Sequence, residues 1–176
     1  MTLQRIDDRF IIVSDLHCNP YSRPTLSVAK AAQRLGVDTI VIAGDLFDDL
    51  HRPVSRRELA IALRWVFKGV KGFTIHYVTS RASHDPILDR PMHLCLEGIE
   101  VYVYPRLLIV EAGASTLLVT HGDMAVYNGL HAFAISLATR MAGEKLYLEK
   151  RLKKKLRLPK EWWLVMGHTH IPGVDY

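Results

Sequence analysis

Cysteine is scarce in this chain, and long apolar segments are missing from it. Cys18 and Cys95 are the only cysteines among 176 residues, too few for a disulfide framework, which favours a reducing, cytoplasmic setting. No uninterrupted apolar run approaches the roughly 18 residues that a membrane-spanning helix needs. The polar first residues include Asp7 and Asp8, so we expect no signal peptide there. These absences argue against a secreted disulfide scaffold and an integral membrane protein.

Positive charge is present but unevenly distributed. Between Arg140 and Lys160 there are nine Lys or Arg and two Glu, a balance of +7 in a chain whose net charge is +5. The remainder of the chain is therefore close to −2. The apolar content of 49% is ordinary for a soluble protein. With no repeat, low-complexity tract or linker, residues 1–176 are expected to form one domain.

Apolar runs alternate with turn and capping signals along the chain. The first half alternates strand and helix, which indicates an α/β sheet with parallel strands. The predicted strands are Phe10–Val13, Thr39–Ala43, Phe73–Thr79, Glu100–Tyr104, Leu107–Glu111, Thr116–Thr120 and Trp162–Met166. The predicted helices are Pro24–Leu35, Ser55–Lys68, Pro86–Leu96, Val126–Met141 and Glu144–Leu156.

Five short polar signatures each follow one of these apolar runs. Each is weak by itself, because a lone Asp or His at a strand end is often a loop or helix-cap residue. Five such signatures in succession would place carboxylates and imidazoles together at one sheet edge. Such a cluster indicates a metal site. The signatures are Asp15-Leu16-His17, Gly44-Asp45, His84-Asp85, His121-Gly122-Asp123 and Gly167-His168-Thr169-His170.

The order of these signatures resembles the calcineurin-like metallophosphoesterases. That pattern is Asp-x-His, Gly-Asp, Gly-Asn-His-Asp or Gly-Asn-His-Glu, a further His, and Gly-His-x-His, and the resemblance covers Asp15 to His170. It implies an α/β fold in which two mixed β-sheets pack as a sandwich flanked by helices, here with a helical insertion near residues 126–157. It also implies a metal-dependent phosphoesterase, most simply a phosphodiesterase that uses a metal-activated water.

The resemblance assigns a role to each matching residue. Asp15, His17 and His170 would hold one divalent cation, His121 and His168 a second, and Asp45 would bridge both. His84 would protonate or stabilise the leaving oxygen, and Asp85 would orient His84. A helix start before Pro86 is the competing interpretation of Asp85. Oxygen and imidazole ligands favour Mn²⁺, with Fe, Zn, Ni or Co as alternatives.

One position departs from the family pattern. Ser83 stands where the family has Asn, and a neutral hydroxyl is a poorer cation ligand than an amide oxygen. The second site is therefore expected to be weakly occupied and the activity reduced. The alternative hypothesis is a metal-binding or scaffold protein on the same fold, with catalysis weakened.

The sequence is compatible with several classes of phosphate-ester substrate. The string from Gly44 to Asp48 resembles the SbcD nuclease branch, whereas the helical insertion resembles hydrolases of UDP-diacylglucosamine. Nucleotide, nucleic acid and lipid-linked phosphate are thus all candidates. Residues 145–157 are predicted to form a basic amphipathic helix, which has two interpretations. The helix either binds an anionic surface, or it packs its Leu stripe against the core and leaves its basic face in solvent. Family members usually add a returning strand after His170, so a bare sheet edge and a homodimer are a further expectation.

Overall fold

Two mixed β-sheets face each other in the computed structural model, which describes residues 2–6, 9–81, 84–126 and 128–168. Helices flank this pair of sheets, as the resemblance implied. The strands are β1 (Leu3–Arg5), β2 (Phe10–Val13), β3 (Thr39–Ala43), β4 (Phe73–Thr79), β5 (Met92–Leu96), β6 (Ile99–Pro105), β7 (Leu107–Ala112), β8 (Ser115–Thr120) and β9 (Trp163–Met166). The helices are α1 (Thr25–Arg34), α2 (Arg56–Val66), α3 (Gly129–Met141) and α4 (Tyr147–Lys155).

The larger sheet has the strand order β2-β3-β4-β6-β5. Its first four strands are parallel, as the strand–helix alternation predicted, and β5 closes the edge antiparallel to β6. Every residue of β3 is buried, which explains why that strand is apolar on both faces. The carboxyl ends of β2, β3 and β4 therefore lie side by side at one sheet edge.

The smaller sheet has the order β1-β7-β8-β9. Strands β7 and β8 form the predicted hairpin, and Gly113 in its turn adopts a φ of +57° that suits glycine. Strand β9 runs parallel to β8, so these two strands also end at the same edge. Strand β1, which pairs with β7 in parallel, was missed because a three-residue polar strand carries no hydrophobic period.

The buried apolar residues form two separate hydrophobic cores. The first joins the larger sheet to α1 and α2, whose buried faces include Ala32, Leu59 and Leu63. The second lies between the sheets and contains Val41, Ala43, Val78, Leu108 and Val119. Because strand side chains alternate between faces, β3 and β4 supply residues to both cores. The strand ends that carry polar signatures are consequently held from two sides.

The start of α2 confirms a capping box read from the sequence. The Ser55 hydroxyl accepts a hydrogen bond from the Glu58 N–H, and the Glu58 carboxylate accepts one from the Ser55 N–H. Such reciprocal bonds satisfy two backbone donors that a helix start otherwise leaves open. The predicted boundary at Ser55 therefore agrees with the structure.

The predicted helix Pro86–Leu96 is wrong. Residues 92–96 form the edge strand β5, in which Leu94 and Leu96 are buried while His93 and Cys95 are exposed. This alternation has the period of two that strands require, and pairing with β6 outweighs the local helix signal.

Two helices occupy the predicted insertion near residues 126–157, between β8 and β9. Helix α3 begins at Gly129, three residues later than predicted, because the Asn128 side chain accepts hydrogen bonds from the Leu130 and His131 N–H groups. Leu148 and Leu152 of α4 are fully buried, which favours the core-facing interpretation of that Leu stripe. None of the helices within the described residues has the length and apolar character to cross a bilayer.

Candidate metal centre

The loops after β2 and β3 are joined by backbone hydrogen bonds. The Asp15 N–H donates to the Gly44 carbonyl at 3.2 Å, and the His17 N–H donates to the Asp45 carbonyl at 3.0 Å. Ligand atoms of Asp15, His17 and Asp45 all lie within 4.8 Å of one another. Parallel pairing of the two strands thus brings an Asp-x-His signature against a Gly-Asp signature, as the sequence predicted.

Four of the candidate ligands have a left-handed backbone conformation. The φ angles are +56° at Asp15, +45° at His17, +50° at Asp45 and +66° at His168. Non-glycine residues rarely adopt such angles, and each costs about 1–3 kcal/mol that the surrounding fold must offset. Clustering of this strain at one sheet edge is typical of functional sites.

His121, His168 and Asp45 form a buried half of the candidate centre. The His121 Nε2 lies 2.9 Å from the His168 Nδ1 and 3.3 Å from the Asp45 Oδ2. All three residues are buried, and His121 has no exposed surface. The smaller sheet supplies both imidazoles and the larger sheet supplies the carboxylate. This half therefore exists only when the two sheets are packed together.

Backbone carbonyls determine which nitrogen of each imidazole carries hydrogen. The His121 Nδ1 lies 3.1 Å from the Ala43 carbonyl, and the His168 Nε2 lies 2.8 Å from the Val126 carbonyl. A carbonyl only accepts, so these nitrogens are the donors. The other two nitrogens, His121 Nε2 and His168 Nδ1, face each other beside the Asp45 carboxylate, where a proton or a metal ion satisfies them. Metal-binding imidazoles are oriented in this same way, by donating their second N–H to a carbonyl.

The pKa shifts show that positive charge is favoured at this point. Burial opposes a charged imidazolium, but the hydrogen bond and charge of Asp45 outweigh it and raise the pKa of His121 to about 9. Burial would raise the pKa of Asp45, yet His121 and the Ser80 hydroxyl lower it overall. Burial and the neighbouring His121 charge lower the pKa of His168. A divalent cation would supply the same positive charge to these three groups.

The other half of the candidate centre is described in part. The Ser14 hydroxyl donates a short hydrogen bond to the Asp15 carboxylate and also contacts the Ala43 carbonyl at 3.0 Å. His170, the third ligand implied for this half, lies outside the described residues, as does Ser83.

His84 lies beside His17, with the ring centroids 4.7 Å apart and the rings edge to face. The His84 Nδ1 donates to the Asp48 carbonyl at 2.7 Å. Ligand atoms of His17, Asp48 and His84 lie within 4.8 Å of one another. His84 is thus placed next to a candidate ligand, with its Nε2 as the nitrogen left for a substrate.

Asp85 has a different set of contacts from the one expected. Its buried carboxylate accepts hydrogen bonds from the backbone N–H groups of Asp45, Leu46 and Ser80, at 2.8, 3.0 and 2.7 Å, and a short one from the Tyr77 hydroxyl. Burial raises the pKa of Asp85 despite these donors. The hydrogen bond that the sequence assigned to Asp85 is made to His84 by the Asp48 carbonyl. Within the described residues, Asp85 instead holds the turn that presents Asp45.

Two glycines permit the close packing of this region. A Cβ on Gly44, whose φ is +82°, would lie 2.4 Å from the His121 Cβ. A Cβ on Gly167 would lie 1.9 Å from the Ser14 hydroxyl oxygen. The glycines that precede Asp45 and His168 in the sequence signatures are therefore required by close approach of side chains.

The sequence patterns assigned no role to three polar residues at the centre. The Ser80 hydroxyl donates to the Asp45 Oδ1 at 2.9 Å, Asp48 orients His84, and the buried Asp123 carboxylate accepts from the Arg81 N–H at 3.0 Å. Asp48 and Asp123 each lie within a few residues of a candidate ligand, and this proximity in sequence could have identified them. No sequence pattern marks Ser80, because its contact with Asp45 depends on the strand order.

The donor set fits divalent cations. Carboxylate oxygens and imidazole nitrogens converge from four loops, and the described candidate ligands Asp15, His17, Asp45, His121 and His168 include no sulfur. Such mixed ligands suit first-row divalent metals rather than Ca²⁺. The strained and buried arrangement can therefore hold metal ions close to His84.

Comparison with known proteins adds a family assignment to this geometry. No curated protein matches the chain. The family model described as calcineurin-like phosphoesterase matches residues 8–176, nearly the whole length. That span contains every candidate ligand and both sheets except β1. The chain belongs to the calcineurin-like phosphoesterase family, as its order of Asp and His signatures predicted.

Proposed function

We propose that this metal-dependent phosphoesterase is a phosphodiesterase with a two-cation centre. The observation that carries the proposal is the buried contact of Asp45 with His121 and His168, next to Asp15 and His17. We assign Asp15, His17 and His170 to one cation, His121 and His168 to the other, and Asp45 to both. Mn²⁺ is the proposed ion because the donors are oxygen and imidazole.

The cations supply two things when bound: a water of lowered pKa and neutralisation of charge on the phosphate oxygens. The protein's own groups supply orientation. The Asp48 carbonyl accepts the Nδ1 hydrogen of His84, so the imidazolium form of His84 can give its Nε2 proton to the leaving oxygen and become neutral. Tyr77 and Asp85 hold the Asp45 turn through buried hydrogen bonds. His84 and Asp45 are therefore the residues with the most direct effects on turnover.

Hydrolysis of bis(p-nitrophenyl) phosphate with added Mn²⁺ tests the proposal. We expect faster hydrolysis of this diester than of p-nitrophenyl phosphate. His84→Ala should lower the rate about 10²- to 10⁴-fold, as loss of a general acid does. Asp45→Asn should lower it by more than about 100-fold, beyond the usual cost of losing an outer partner of a metal ligand. His131→Ala, an exposed histidine of α3, is the matched control. Inactivity of the wild type on both esters would contradict the proposal.

The alternative of a metal-binding or scaffold protein depends on Ser83. If the missing amide limits the second cation, Ser83→Asn should tighten the weaker Mn²⁺ site in a titration and raise turnover. Ser115→Asn, on the exposed start of β8, serves as the control. A wild type that binds Mn²⁺, with the second ion weakly held, and hydrolyses neither ester supports the alternative.

An exposed apolar stripe on α3 favours a lipid-linked phosphate among the candidate substrates. Leu130, Phe133, Leu137 and Met141 repeat at helical spacing and are 76%, 40%, 44% and 82% exposed. Helix α4 packs against α3 and carries exposed Lys150, Arg151 and Lys154. Apolar and basic side chains adjacent to each other are the combination that an anionic lipid surface binds. We propose that this region, which includes residues 145–157, contacts such a surface.

Vesicle flotation tests the lipid proposal. The protein should float with vesicles containing anionic phospholipid, bind less at high salt, and not float with purely zwitterionic vesicles. Leu130→Glu with Leu137→Glu should abolish flotation, whereas Ile61→Glu, equally exposed on α2, should not. Flotation of the double variant at wild-type levels would contradict the proposal that α3 binds lipid. Nucleotides and nucleic acids would then be the favoured substrate classes. Cytoplasmic location and homodimerisation stay predictions.

A further inference from the structure

Three metal-ligating side chains of different types meet at the outer edge of the larger sheet. His93 and Cys95 lie on β5, and Glu100 lies on β6. All three are exposed, and none belongs to the candidate centre. Their Nε2, Sγ and carboxylate oxygen atoms lie within 4.8 Å of one another.

Antiparallel pairing of β5 and β6 explains why these side chains converge. His93 and Cys95 are two residues apart on one strand and therefore project from the same face. In the register, Cys95 is opposite Glu100 and His93 is opposite Tyr102. The intervening Leu94 is buried on the other face. Regular strand geometry, without any special backbone, thus forms a compact group of donors.

The separations agree with coordination of one ion. The His93 Nε2 lies 3.5 Å from the Glu100 Oε2 and 3.8 Å from the Cys95 Sγ. Ligand atoms around a tetrahedral zinc ion lie about 3.3–3.8 Å apart, given zinc–ligand bonds of about 2.0–2.3 Å. The two separations that involve His93 therefore agree with a single ion, and the thiol and the carboxylate lie within 4.8 Å of each other.

Neighbouring groups already hold the donors in position. The Tyr102 hydroxyl donates to the Glu100 Oε2 at 2.9 Å, which orients that carboxylate. The His93 ring stacks on Tyr102 with centroids 4.3 Å apart and an interplanar angle of 7°. The Arg56 guanidinium donates to the His93 carbonyl at 2.7 Å and fixes the strand. Outer contacts of this kind reduce the cost of ordering metal ligands.

We propose that His93, Cys95 and Glu100 form a second, surface metal site that binds Zn²⁺ through Nε2, Sγ and a carboxylate oxygen. The Cys95 thiol loses its proton to solvent on binding, since the thiolate is the ligand. A thiolate beside an imidazole favours zinc over the harder Mn²⁺ assigned to the buried centre. Water would supply the fourth ligand, and Cys95 and Glu100 also line a groove together with Asp38 and Thr74.

Titration of the metal-free protein with Co²⁺ tests this site. Cobalt takes the place of zinc, and a thiolate ligand adds a sulfur-to-cobalt charge-transfer absorption that oxygen and nitrogen donors do not produce. We expect Co²⁺, added beyond the two ions that the buried centre can take, to produce this absorption with one Co²⁺ per chain at the thiolate, and excess Zn²⁺ to abolish it. Cys95→Ser should remove the absorption, while His93→Ala and Glu100→Gln should weaken Co²⁺ binding at least about 10-fold.

Cys18→Ala is the matched control, because Cys18 is the only other cysteine and burial raises its pKa to about 11. This variant should keep the full absorption. The proposal is overturned if the wild type shows no thiolate absorption, or if Cys95→Ser retains it. Circular dichroism of each variant confirms that the fold is intact. Phosphoesterase activity does not enter this readout, so the result is independent of the buried centre.

Discussion

The buried centre and the edge cluster of His93, Cys95 and Glu100 use similar donors in opposite structural settings. The first stands on loops with left-handed residues, with Asp45, His121 and His168 almost fully enclosed. The edge cluster stands on two regular strands, and its side chains are exposed. The two regions therefore differ in how much stabilisation they require from packing and hydrogen bonds in the rest of the fold.

Backbone strain and the burial of ionisable groups at the buried centre destabilise the folded state. Left-handed backbone and buried ionisable groups persist only where packing and hydrogen bonds offset their cost. The edge cluster needs no strained backbone or buried charge, because strand pairing and surface contacts from Tyr102 and Arg56 position its donors. Substitutions near the centre should thus change both stability and metal binding, whereas substitutions at the edge should change metal binding alone.

The largest expected effect is that of Gly44→Ala. The added Cβ would meet the His121 ring, and the φ of +82° would strain any L residue. We expect a loss of about 2–5 kcal/mol in the free energy of unfolding, measured by urea denaturation. Gly113→Ala is the control, since its Cβ meets nothing within 4 Å and only the backbone strain of about 1–2 kcal/mol remains. Equal losses in the two variants would show that packing against His121 is unimportant.

Acidification should destabilise the protein through His76, a buried ring that stacks on Tyr102. Burial lowers the pKa of His76 to about 4, below its ordinary value of 6.5. The unfolded chain therefore takes up a proton first, so the contribution of His76 to stability is complete above pH 6.5 and is lost as the pH drops from 6.5 to 4. The contribution is up to about 3 kcal/mol. Urea unfolding across this range should show the decline in wild type and in His93→Gln, and a smaller one in His76→Gln.

Asp85→Asn should affect the centre through the turn that carries Asp45. The amide NH₂ would face backbone N–H donors, so at least one buried hydrogen bond is lost, at a cost of about 2 kcal/mol. Mn²⁺ affinity should also fall about 10- to 100-fold. Tyr77→Phe, which removes one donor to the same carboxylate, should give a smaller change in the same direction. Calorimetric metal titration measures both variants, and unchanged affinity in Asp85→Asn would contradict the positioning role.

The smallest effect on stability is expected at the edge cluster. The triple variant His93→Ala, Cys95→Ser, Glu100→Gln should change the free energy of unfolding by less than about 0.5 kcal/mol in metal-free buffer, since all three side chains are exposed. Hydrolysis of the diester should remain at the wild-type rate. A large destabilisation would show that these side chains support the sheet edge, and the contrast with the buried centre would then disappear.

Much of the fold and of the buried centre was accessible from the amino-acid order. Apolar runs ending in Asp or His marked β2, β3, β4, β8 and β9, because buried parallel strands are apolar and their following loops carry function. The capping box of α2 followed from Ser55 and Glu58 alone. Local chemistry determines such features, so a local pattern predicts them.

Other features depend on contacts between distant segments. Residues 92–96 became a strand because β6 was available to pair with them, and Asp85 contacts the turn after β3 because β3 and β4 are neighbours. The edge cluster exists only through the register that sets Cys95 opposite Glu100. The sequence by itself determined which side chains could bind metal at the strand ends. Only the tertiary structure decided how they are oriented and that a second group of donors forms, because strand register and sheet packing arise from long-range pairing.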